Sequence, residues 1–255
     1  MQINQQVLQG KVAIVTGGTR GIGFGLATSL ARAGADLTVV SRNREQAQQP
    51  LEALRSLGGR VLYVEADVTK ANDLQRMVEE TIKEYGKIDI LVNNAGTTMT
   101  KPVLETTEED WDRVIDTNLK SVFFACREVG KIMVSQKQGK IINIASISAK
   151  SASPLIAPYC ASKAGVVQLT KALALEWARY HINVNAIGPG YVKTDMNKDI
   201  LENEKLYQSI INRIPFRSLA KEDDLAGALI YLASEASNYV TGHTIFVDGG
   251  WMANQ

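Results

Sequence analysis

A tyrosine and a lysine four positions apart, Tyr159 and Lys163, have the types and spacing that acid–base chemistry needs in this 255-residue chain. On a helix, side chains at i and i+4 share a face and can converge on one substrate atom. An unperturbed tyrosine, with a pKa of about 10, holds its proton too tightly for reversible proton transfer near neutral pH. Because a neighbouring ammonium favours the phenolate, we expect Lys163 to lower the pKa of Tyr159. The same spacing also occurs by chance, as a half-buried ring beside a solvated amine.

The apolar pattern predicts the elements that must position these residues. Short runs rich in β-branched residues alternate with longer amphipathic stretches of helical periodicity. Buried parallel strands are near-continuous apolar runs that need crossover helices. The pattern therefore predicts a single α/β domain, 1–255, with a Rossmann-type, doubly wound, seven-stranded parallel sheet and helices on both faces. The predicted strands are 12–16, 37–41, 61–65, 88–93, 140–145, 182–187 and 244–247.

Further polar residues fall where such a sheet binds its ligands, at the carboxyl ends of its strands. Asn93 and the next three residues, Asn94-Ala95-Gly96, follow the fourth predicted strand, Ser146 follows the fifth, and Asn118 lies in a helix between them. One segment, 194–217, breaks the alternation of strands and helices. We interpret it as a substrate lid, although an ordinary pair of surface helices would give a similar pattern.

The first predicted strand runs directly into a glycine-rich turn at the start of a helix, Thr16-Gly17-Gly18-Thr19-Arg20-Gly21-Ile22-Gly23. Glycine lets the backbone turn sharply and approach a diphosphate closely, while the amides and the positive dipole end of the helix face the anion. The spacing is Gly-x3-Gly-x-Gly, unlike the commoner Gly-x-Gly-x2-Gly. It predicts a dinucleotide-binding loop, and a tight strand-to-helix turn without a ligand is the alternative.

The end of the second predicted strand bears on the choice of dinucleotide. A carboxylate there would bind the ribose hydroxyls of NAD and repel an added phosphate, but the chain has Ser41 followed by Arg42. Arg20 in the glycine-rich turn could approach the same phosphate, and a pair of guanidinium groups suits a dianion. These residues favour NADP(H) over NAD(H), whereas two solvated surface charges are the alternative.

Composition and charge exclude several classes of function. The 28 basic and 27 acidic residues leave a formal charge of +1, with no basic run that would follow a phosphate backbone, so we expect no nucleic-acid partner. No window approaches the roughly 20 apolar residues that a bilayer crossing requires, and the first ten residues do not resemble a signal peptide, so we expect a cytoplasmic protein and no membrane partner. Cys126 and Cys160 are expected to be reduced thiols. His181 and His243 lack neighbouring ligands at metal spacing, so we expect no metal.

Taken together, the motifs closely resemble the short-chain dehydrogenase/reductase family and span nearly the whole chain in the family's order. The matching segments are TGGTRGIG at 16–23, Asp67-Val68, NNAG at 93–96, Asn118, Ser146 thirteen residues before Tyr159, YCASK at 159–163, PGYVKT at 189–194 and VTGHTIFVDGG at 240–250. The resemblance implies an NADP(H)-dependent oxidoreductase that interconverts a secondary alcohol and a ketone by hydride transfer.

The resemblance also assigns roles to residues at matching positions. Tyr159 would be the general acid/base and Lys163 its electrostatic partner, Ser146 would hydrogen-bond the substrate oxygen, and Asn118 would support a water chain that resupplies the proton. The implied cofactor-binding residues are Gly17, Thr19, Arg20, Gly21, Ile22, Gly23, Ser41, Arg42, Asp67, Val68, Asn93, Ala95, Gly96, Tyr159, Lys163, Pro189, Gly190, Val192 and Thr194.

The substrate stays open at this point. A sugar acid of the gluconate or 5-ketogluconate type, a small cyclic ketone and a 3-oxoacyl group on a carrier protein all suit the pattern. Carrier reductases have basic docking residues at positions matching about Lys137 and Tyr180, and only the first is basic here. Two further rivals are an NADP-binding sensor without turnover, which would not need the four catalytic residues, and a nucleotide-sugar epimerase, which would need a longer chain.

The resemblance finally implies an assembly. The helix containing Asn118 and the helix carrying Tyr159 resemble the pair that family members use for a four-helix contact between subunits. The segment VDGGW near the C-terminus resembles a second contact. We therefore expect a homotetramer.

Overall fold

Seven parallel strands form one sheet in the order β3-β2-β1-β4-β5-β6-β7, which confirms the predicted fold class. The computed structural model describes residues 6–194 and 202–254. The strands are β1 Val12–Thr16, β2 Asp36–Ser41, β3 Val61–Glu65, β4 Ile90–Asn93, β5 Gly139–Ile144, β6 Ile182–Pro189 and β7 Thr244–Val247.

The described α-helices pack on both faces of this sheet. They are α1 Gly21–Arg32, α2 Arg44–Arg55, α3 Ala71–Tyr85, α4 Glu108–Ile115, α5 Ser121–Gln136, α6 Ala157–Trp177, α7 Glu204–Arg213 and α8 Ala226–Ala233. Apolar side chains of α1, α2 and α8 cover one face, and those of α3, α5 and α6 cover the other. Within the described part of the chain, none of the helices combines the length and apolar character that a bilayer crossing needs.

The boundaries of β4 and β6 each differ from the prediction by two residues. The strand β4 begins at Ile90 rather than at residue 88, because the Gln136 side chain takes both main-chain groups of Ile88: its Oε1 accepts from the amide at 3.1 Å and its Nε2 donates to the carbonyl at 2.8 Å. The strand β6 continues to Pro189, since β7 pairs alongside it up to Val247.

The strand order places a crevice beside β1. The chain runs outward from β1 to β3 and then returns to place β4 on the other side of β1. The loops that follow β1 and β4 therefore diverge above the sheet at its carboxyl edge, where open α/β sheets bind ligands. This crevice separates the glycine-rich turn from residues 94–97.

The amino edge of the sheet contains a buried charge that is not part of this crevice. Lys140 in β5 is 9% exposed, and its Nζ donates to Asn183 Oδ1 at 2.9 Å, Ser237 Oγ at 3.2 Å and Asn238 Oδ1 at 2.8 Å. All three acceptors are neutral. Burial lowers the pKa of Lys140 to about 8, because the charged form loses hydration and the attraction of the Glu235 carboxylate offsets that loss only in part.

We expect the stability of the protein to rise with pH above 8 because of Lys140. Between this pKa and the ordinary lysine value the unfolded chain binds more protons at this position than the folded chain, so the free energy of unfolding increases with pH. From pH 7.5 to 9.5 the gain from this residue is on the order of 1–2 kcal/mol. Urea unfolding at both pH values should show a smaller gain in Lys140→Met, while the exposed Lys83→Met keeps the wild-type gain. An unchanged pH dependence in Lys140→Met would contradict this assignment.

Candidate active site

The glycine-rich turn after β1 has the geometry of an anion cradle. Gly17 and Gly21 adopt left-handed φ angles of +65° and +50°, which side chains disfavour. A Cβ at Gly23 would collide with the carbonyl oxygen of Gly17. The helix α1 begins at Gly21, and its N-terminus has neither a side-chain cap from Arg20 nor an acidic residue in the first turn. Its first amides therefore have no side-chain acceptor from the cap, and the turn with Thr19 and Ile22 fits the diphosphate of a dinucleotide.

Two residues that the sequence did not single out join the turn after β1 to the loop after β4. Thr16 Oγ1 accepts hydrogen bonds from the amides of Asn94, at 3.0 Å, and Ala95, at 3.1 Å. The Asn94 side-chain amide donates to the carbonyls of Thr16, at 2.9 Å, and Gly17, at 3.2 Å. These bonds fix the width of the crevice. The sequence signal was present, because Asn94 lies within the NNAG segment.

The end of β2 lies beside the same turn. The amide of Gly17 donates to the carbonyl of Val40 at 2.8 Å, two residues before Arg42. Ser41 Oγ lies 3.1 Å from Tyr63 Oη, which fixes this end of the strand. Arg20 and Arg42 are exposed, and neither forms an ion pair with a residue of the described ranges. Both guanidinium groups are therefore available to an anionic ligand at this corner.

Asp67 and Val68 follow β3 at the outer side of the crevice. Asp67 Oδ1 accepts from the Thr69 amide at 3.0 Å and the Thr69 hydroxyl at 2.8 Å, and the Asp67 amide donates to Asp73 Oδ2 at 2.8 Å. The Val68 side chain is buried. These bonds hold the backbone of the predicted adenine-binding pair in one conformation.

Tyr159, Ser146 and Lys163 come together where α6 meets the carboxyl end of β5. Lys163 is 5% exposed as a residue. Its ammonium lies 5.7 Å from the centroid of the Tyr159 ring and donates to the carbonyl oxygen of Ile144 at 2.7 Å. Burial lowers the pKa of Lys163 to about 8. Ser146 hydrogen-bonds the Tyr159 hydroxyl, and its own Oγ accepts from the Ser148 amide at 3.1 Å.

The expectation of a lowered pKa for Tyr159 is wrong for this structure. Burial raises the pKa of Tyr159 above its ordinary value, and the hydrogen bond with Ser146 opposes that rise only in part. Lys163 does not reverse the sign, because its ammonium is directed at the Ile144 carbonyl and burial weakens its own hold on a proton. Tyr159 therefore retains its proton at neutral pH, which suits a proton donor.

Asn118 lies in a single π-helical turn, Asp116–Lys120, between α4 and α5. Its Oδ1 accepts from the amide of Thr97 at 2.8 Å, and its Nδ2 donates to the Thr97 carbonyl at 2.8 Å and to Ser162 Oγ at 3.1 Å. Ser121 Oγ donates to the Thr117 carbonyl within this turn at 2.6 Å. The Asn118 side chain thus joins the loop after β4 to α6, and its predicted part in a water chain stays a prediction.

Gly96 lies between these groups. A Cβ at Gly96 would lie 3.3 Å from Asn118 Oδ1 and 3.7 Å from Lys163 Nζ. Because Gly96 has no side chain, the main chain of the loop after β4 comes close to both Asn118 and Lys163. The predicted part of Ala95 and Gly96 in cofactor binding stays a prediction.

The side chain of Asn93 faces the core instead. Its Nδ2 donates to Asn143 Oδ1 at 2.9 Å and contacts Cys126 Sγ at 3.2 Å, and Asn143 in turn donates to Thr170 Oγ1 at 2.9 Å. Burial raises the pKa of the Cys126 thiol to about 12, which makes it unreactive. The Asn93 side chain is thus part of a hydrogen-bond network that joins β4, β5, α5 and α6. Sequence spacing alone could not distinguish this structural role from contact with a ligand.

Residues after β6 form the other wall of the crevice. The amide of Gly190 donates to the Val247 carbonyl at 2.9 Å, and a Cβ at Gly190 would lie 2.8 Å from Asp248 Cα. Val192 bridges to Ala220. A Cβ at Gly21 would lie 3.5 Å from Thr194 Cγ2, so the segment from Pro189 to Thr194 reaches the glycine-rich turn.

The predicted lid is only partly described. Residues 195–201 of the predicted lid, 194–217, lie outside the described residues. The rest packs through α7, where Ile210, Ile211 and Ile214 are buried in a cluster with Ile147 and Trp251. We call these five residues the lid cluster. Ile147 directly follows Ser146, so the lid helix packs on the turn that carries a predicted catalytic residue.

Comparison with known proteins agrees with this geometry. A family model described as enoyl-(acyl carrier protein) reductase matches residues 17–252. The 2-dehydro-3-deoxy-D-gluconate 5-dehydrogenase of Escherichia coli K12 is 43% identical over 96% of this chain and 97% of that protein. The 3-oxoacyl-[acyl-carrier-protein] reductase of Chlamydia pneumoniae is 40% identical over 95% of this chain and 97% of its own length.

A solved structure shows the same fold over nearly the whole chain. The gluconate 5-dehydrogenase from Burkholderia cenocepacia J2315, in complex with NADP and tartrate, superposes with a TM-score of 0.94 at 38% identity and covers 98% of both chains. Family-model coverage, relatives near 40% identity and the shared fold lead to one conclusion: the chain belongs to the short-chain dehydrogenase/reductase family of oxidoreductases that act on CH–OH groups.

Proposed function

We propose that the protein is an NADP(H)-dependent oxidoreductase that interconverts the hydroxyl and keto forms of a sugar acid of the gluconate or 5-ketogluconate type. The observation that carries the proposal is the convergence of Tyr159, Ser146 and Lys163 beside a glycine cradle at the carboxyl edge of the sheet. A sensor without turnover would have no use for this convergence.

In the reductive direction, Tyr159 donates its proton to the carbonyl oxygen of the substrate as that oxygen gains electrons. The hydride at the carbonyl carbon is the chemistry that a bound reduced nicotinamide supplies. Ser146 donates a hydrogen bond to the same oxygen and stabilises its developing charge. The phenolate left on Tyr159 is stabilised by the buried ammonium of Lys163, whose attraction grows once the phenol becomes charged. In the oxidative direction the phenolate takes the proton back.

The cofactor-binding residues proposed are those that line the crevice. The turn from Gly17 to Gly23 would hold the diphosphate, Arg20, Ser41 and Arg42 the ribose phosphate, and Asp67 with Val68 the adenine. Asn93, Ala95 and Gly96 would lie at the nicotinamide ribose together with Tyr159 and Lys163, with Asn93 contributing main-chain atoms only. Pro189, Gly190, Val192 and Thr194 would contact the nicotinamide end. The exposed arginine pair supports NADP(H) over NAD(H), as does the NADP in the Burkholderia relative.

Two relatives support the choice of a sugar acid. The protein from Escherichia coli is named for a dehydro-deoxy-gluconate, and the Burkholderia protein is named for gluconate. The alternative is reduction of a 3-oxoacyl group on a carrier protein, which the relative from Chlamydia pneumoniae favours at nearly the same identity. An NADPH-oxidation assay with 5-keto-D-gluconate, an oxoacyl thioester and a cyclic ketone distinguishes these substrates directly.

We also propose that the chain acts as one domain with residues 194–217 as its substrate lid, in the cytoplasm and as a homotetramer. Two unpaired thiols, one of them buried and unreactive, suit a reducing compartment. Exposed apolar side chains on the α4–α5 and α6 surfaces support contacts between subunits: Trp111, Phe123 and Leu175 are 44%, 43% and 84% exposed.

Replacing the proposed acid tests the mechanism. Tyr159→Phe keeps the ring but removes the proton, so kcat should fall by about 10²–10⁴-fold. Binding of NADPH, measured by its fluorescence, should change less than about twofold, since the ring remains in place. Tyr180→Phe, which removes a phenol at the other edge of the sheet, is the control. A kcat near that of the wild type in Tyr159→Phe would rule out the assignment.

Replacing the proposed phosphate contact tests the cofactor. Arg42→Ala should raise the KM for NADPH about 30-fold, because a charge-assisted hydrogen bond contributes about 2 kcal/mol. The KM for NADH should change little, since NADH lacks the phosphate. Arg44→Ala removes a guanidinium two residues away that is already paired with Glu65 at 3.4 Å, and should leave both constants near wild type. If Arg42→Ala raised the KM for NADPH and the KM for NADH by the same factor, the result would count against a contact between Arg42 and the phosphate.

Light scattering tests the assembly. The wild type should have the mass of four 27.8 kDa chains. Leu175→Lys places a charge on the proposed contact surface of α6 and should shift the population to smaller species, because a buried unpaired charge is costly. Leu57→Lys, at a partly exposed position after α2, should not. A wild-type mass of one chain would refute the proposal.

A further inference from the structure

The last residue of α7, Arg213, rests on the edge of the lid cluster. Its guanidinium carbon lies 4.2 Å from the ring centroid of Trp251. Stacking on an indole fixes the plane of the guanidinium and leaves its N–H edges directed outward, the arrangement that binds a carboxylate through two parallel hydrogen bonds. Among the described residues, no carboxylate lies within ion-pair distance of Arg213.

Trp251 packs against two residues of the candidate site's surroundings. Its ring lies 5.3 Å from the ring of Tyr191, which belongs to the segment after β6. On the other side, Trp251 packs with Ile147, the residue after Ser146. Arg213 therefore rests on the same apolar cluster that packs against the turn carrying Ser146.

Trp251 itself has an unused donor. Its side chain is 3% exposed, and its indole N–H has no hydrogen-bond partner in the part of the chain that the structure describes. A buried donor without an acceptor has lost its hydration and gained no replacement, which is unfavourable. An oxygen of a polyhydroxylated ligand that enters beside the lid cluster would supply the missing acceptor.

Other cations near this edge are less suited to a carboxylate. Lys101 is already paired with Asp110 at 2.7 Å. Arg217 donates to the main-chain carbonyl of Asn212 at 2.5 Å. Lys150, whose Nζ lies 5.4 Å from the Phe246 ring, offers a point charge without the planar fork of an arginine.

We propose that Arg213 is the specificity-determining residue that pairs with the carboxylate of an acidic, hydroxylated substrate, held in position by its stacking on Trp251. The inference rests on the proposed function, because it takes the substrate of the Tyr159 site to be a sugar acid. It adds the residue that separates acidic from neutral substrates, which the catalytic residues cannot do.

Binding without turnover tests the inference. In a Tyr159→Phe background saturated with NADP⁺, gluconate and the neutral polyol sorbitol are titrated by calorimetry into proteins with Arg213 intact, Arg213→Met and Arg213→Lys. Gluconate affinity should fall about ten- to a hundredfold in Arg213→Met and less in Arg213→Lys, because loss of a charged, two-point contact costs that much. Sorbitol binding should be the same in all three.

Two further variants separate recognition from packing. Arg179→Met removes a guanidinium that stacks on Tyr180 at 4.8 Å, at the other edge of the sheet, and should leave gluconate binding unchanged. Trp251→Phe removes the unpaired N–H but keeps an aromatic ring, so it should weaken gluconate binding severalfold, while the cavity left by the smaller ring lowers Tm by a few degrees. A lower Tm with unchanged binding would show that Trp251 only packs.

The outcomes distinguish this inference from the proposed function. If gluconate binds equally well to Arg213→Met, the role of Arg213 is overturned, even where the wild type reduces 5-keto-D-gluconate with NADPH. If gluconate does not bind to the protein with Arg213 intact, the inference is overturned as well, and turnover of an oxoacyl thioester or cyclic ketone by the wild type then decides the reaction separately. If Arg213→Met loses binding of both gluconate and sorbitol, the binding site has collapsed. The Tm and the binding of Arg213→Lys would reveal such a collapse. This outcome would also count against the inference.

Discussion

The active site depends on keeping one ammonium, that of Lys163, almost fully out of water. A buried charge is costly unless it is hydrogen-bonded, and here the carbonyl of Ile144 at the last residue of β5 is its acceptor. This contact fixes α6 against the sheet and places Tyr159, one turn earlier, beside Ser146. The same burial that lowers the pKa of Lys163 raises that of Tyr159, so the pair is set to hold a neutral phenol next to a cation.

The walls around this charge are held mostly by neutral hydrogen bonds. Thr16 and Asn94 join the loops after β1 and β4, and Asn118 joins the second of these loops to α6 through Thr97 and Ser162. Neutral bonds are little affected by salt or by charge changes in the site. A crevice built in this way can keep its width while protons move within it.

The lid cluster is held differently, by apolar packing. Gly249 and Gly250 adopt φ angles of +64° and +90°, and Cβ atoms there would lie 2.9 Å from Ile214 and Pro215. The C-terminal turn can therefore press Trp251 against the end of α7 and the residue that follows Ser146. The lid cluster and the turn that carries Ser146 thus pack directly on one another.

By itself the sequence determined the features that arise from local chain chemistry. Short, nearly continuous apolar runs between amphipathic stretches predicted all seven strands within two residues at each boundary. A strand buried between helices needs such a run because both of its faces are covered. The glycine spacing predicted the turn after β1, because only glycine tolerates the left-handed φ angles found there. The four-residue spacing of Tyr159 and Lys163 placed them on one helix face.

Only the tertiary structure decided the features that depend on partners distant in sequence. The direction of the Tyr159 pKa shift depends on how completely α6 and β5 exclude water, and no spacing reveals that. Asn93 and Asn94 are neighbours of the same type, yet one faces Asn143 in the core and the other holds the glycine turn, because successive side chains at a strand end point to opposite sides. The later start of β4, caused by Gln136, and the position of Trp251 beneath Arg213 have the same origin. Both depend on burial and hydrogen bonds between elements that are distant in sequence. The strength of those interactions is known only when the elements are packed together.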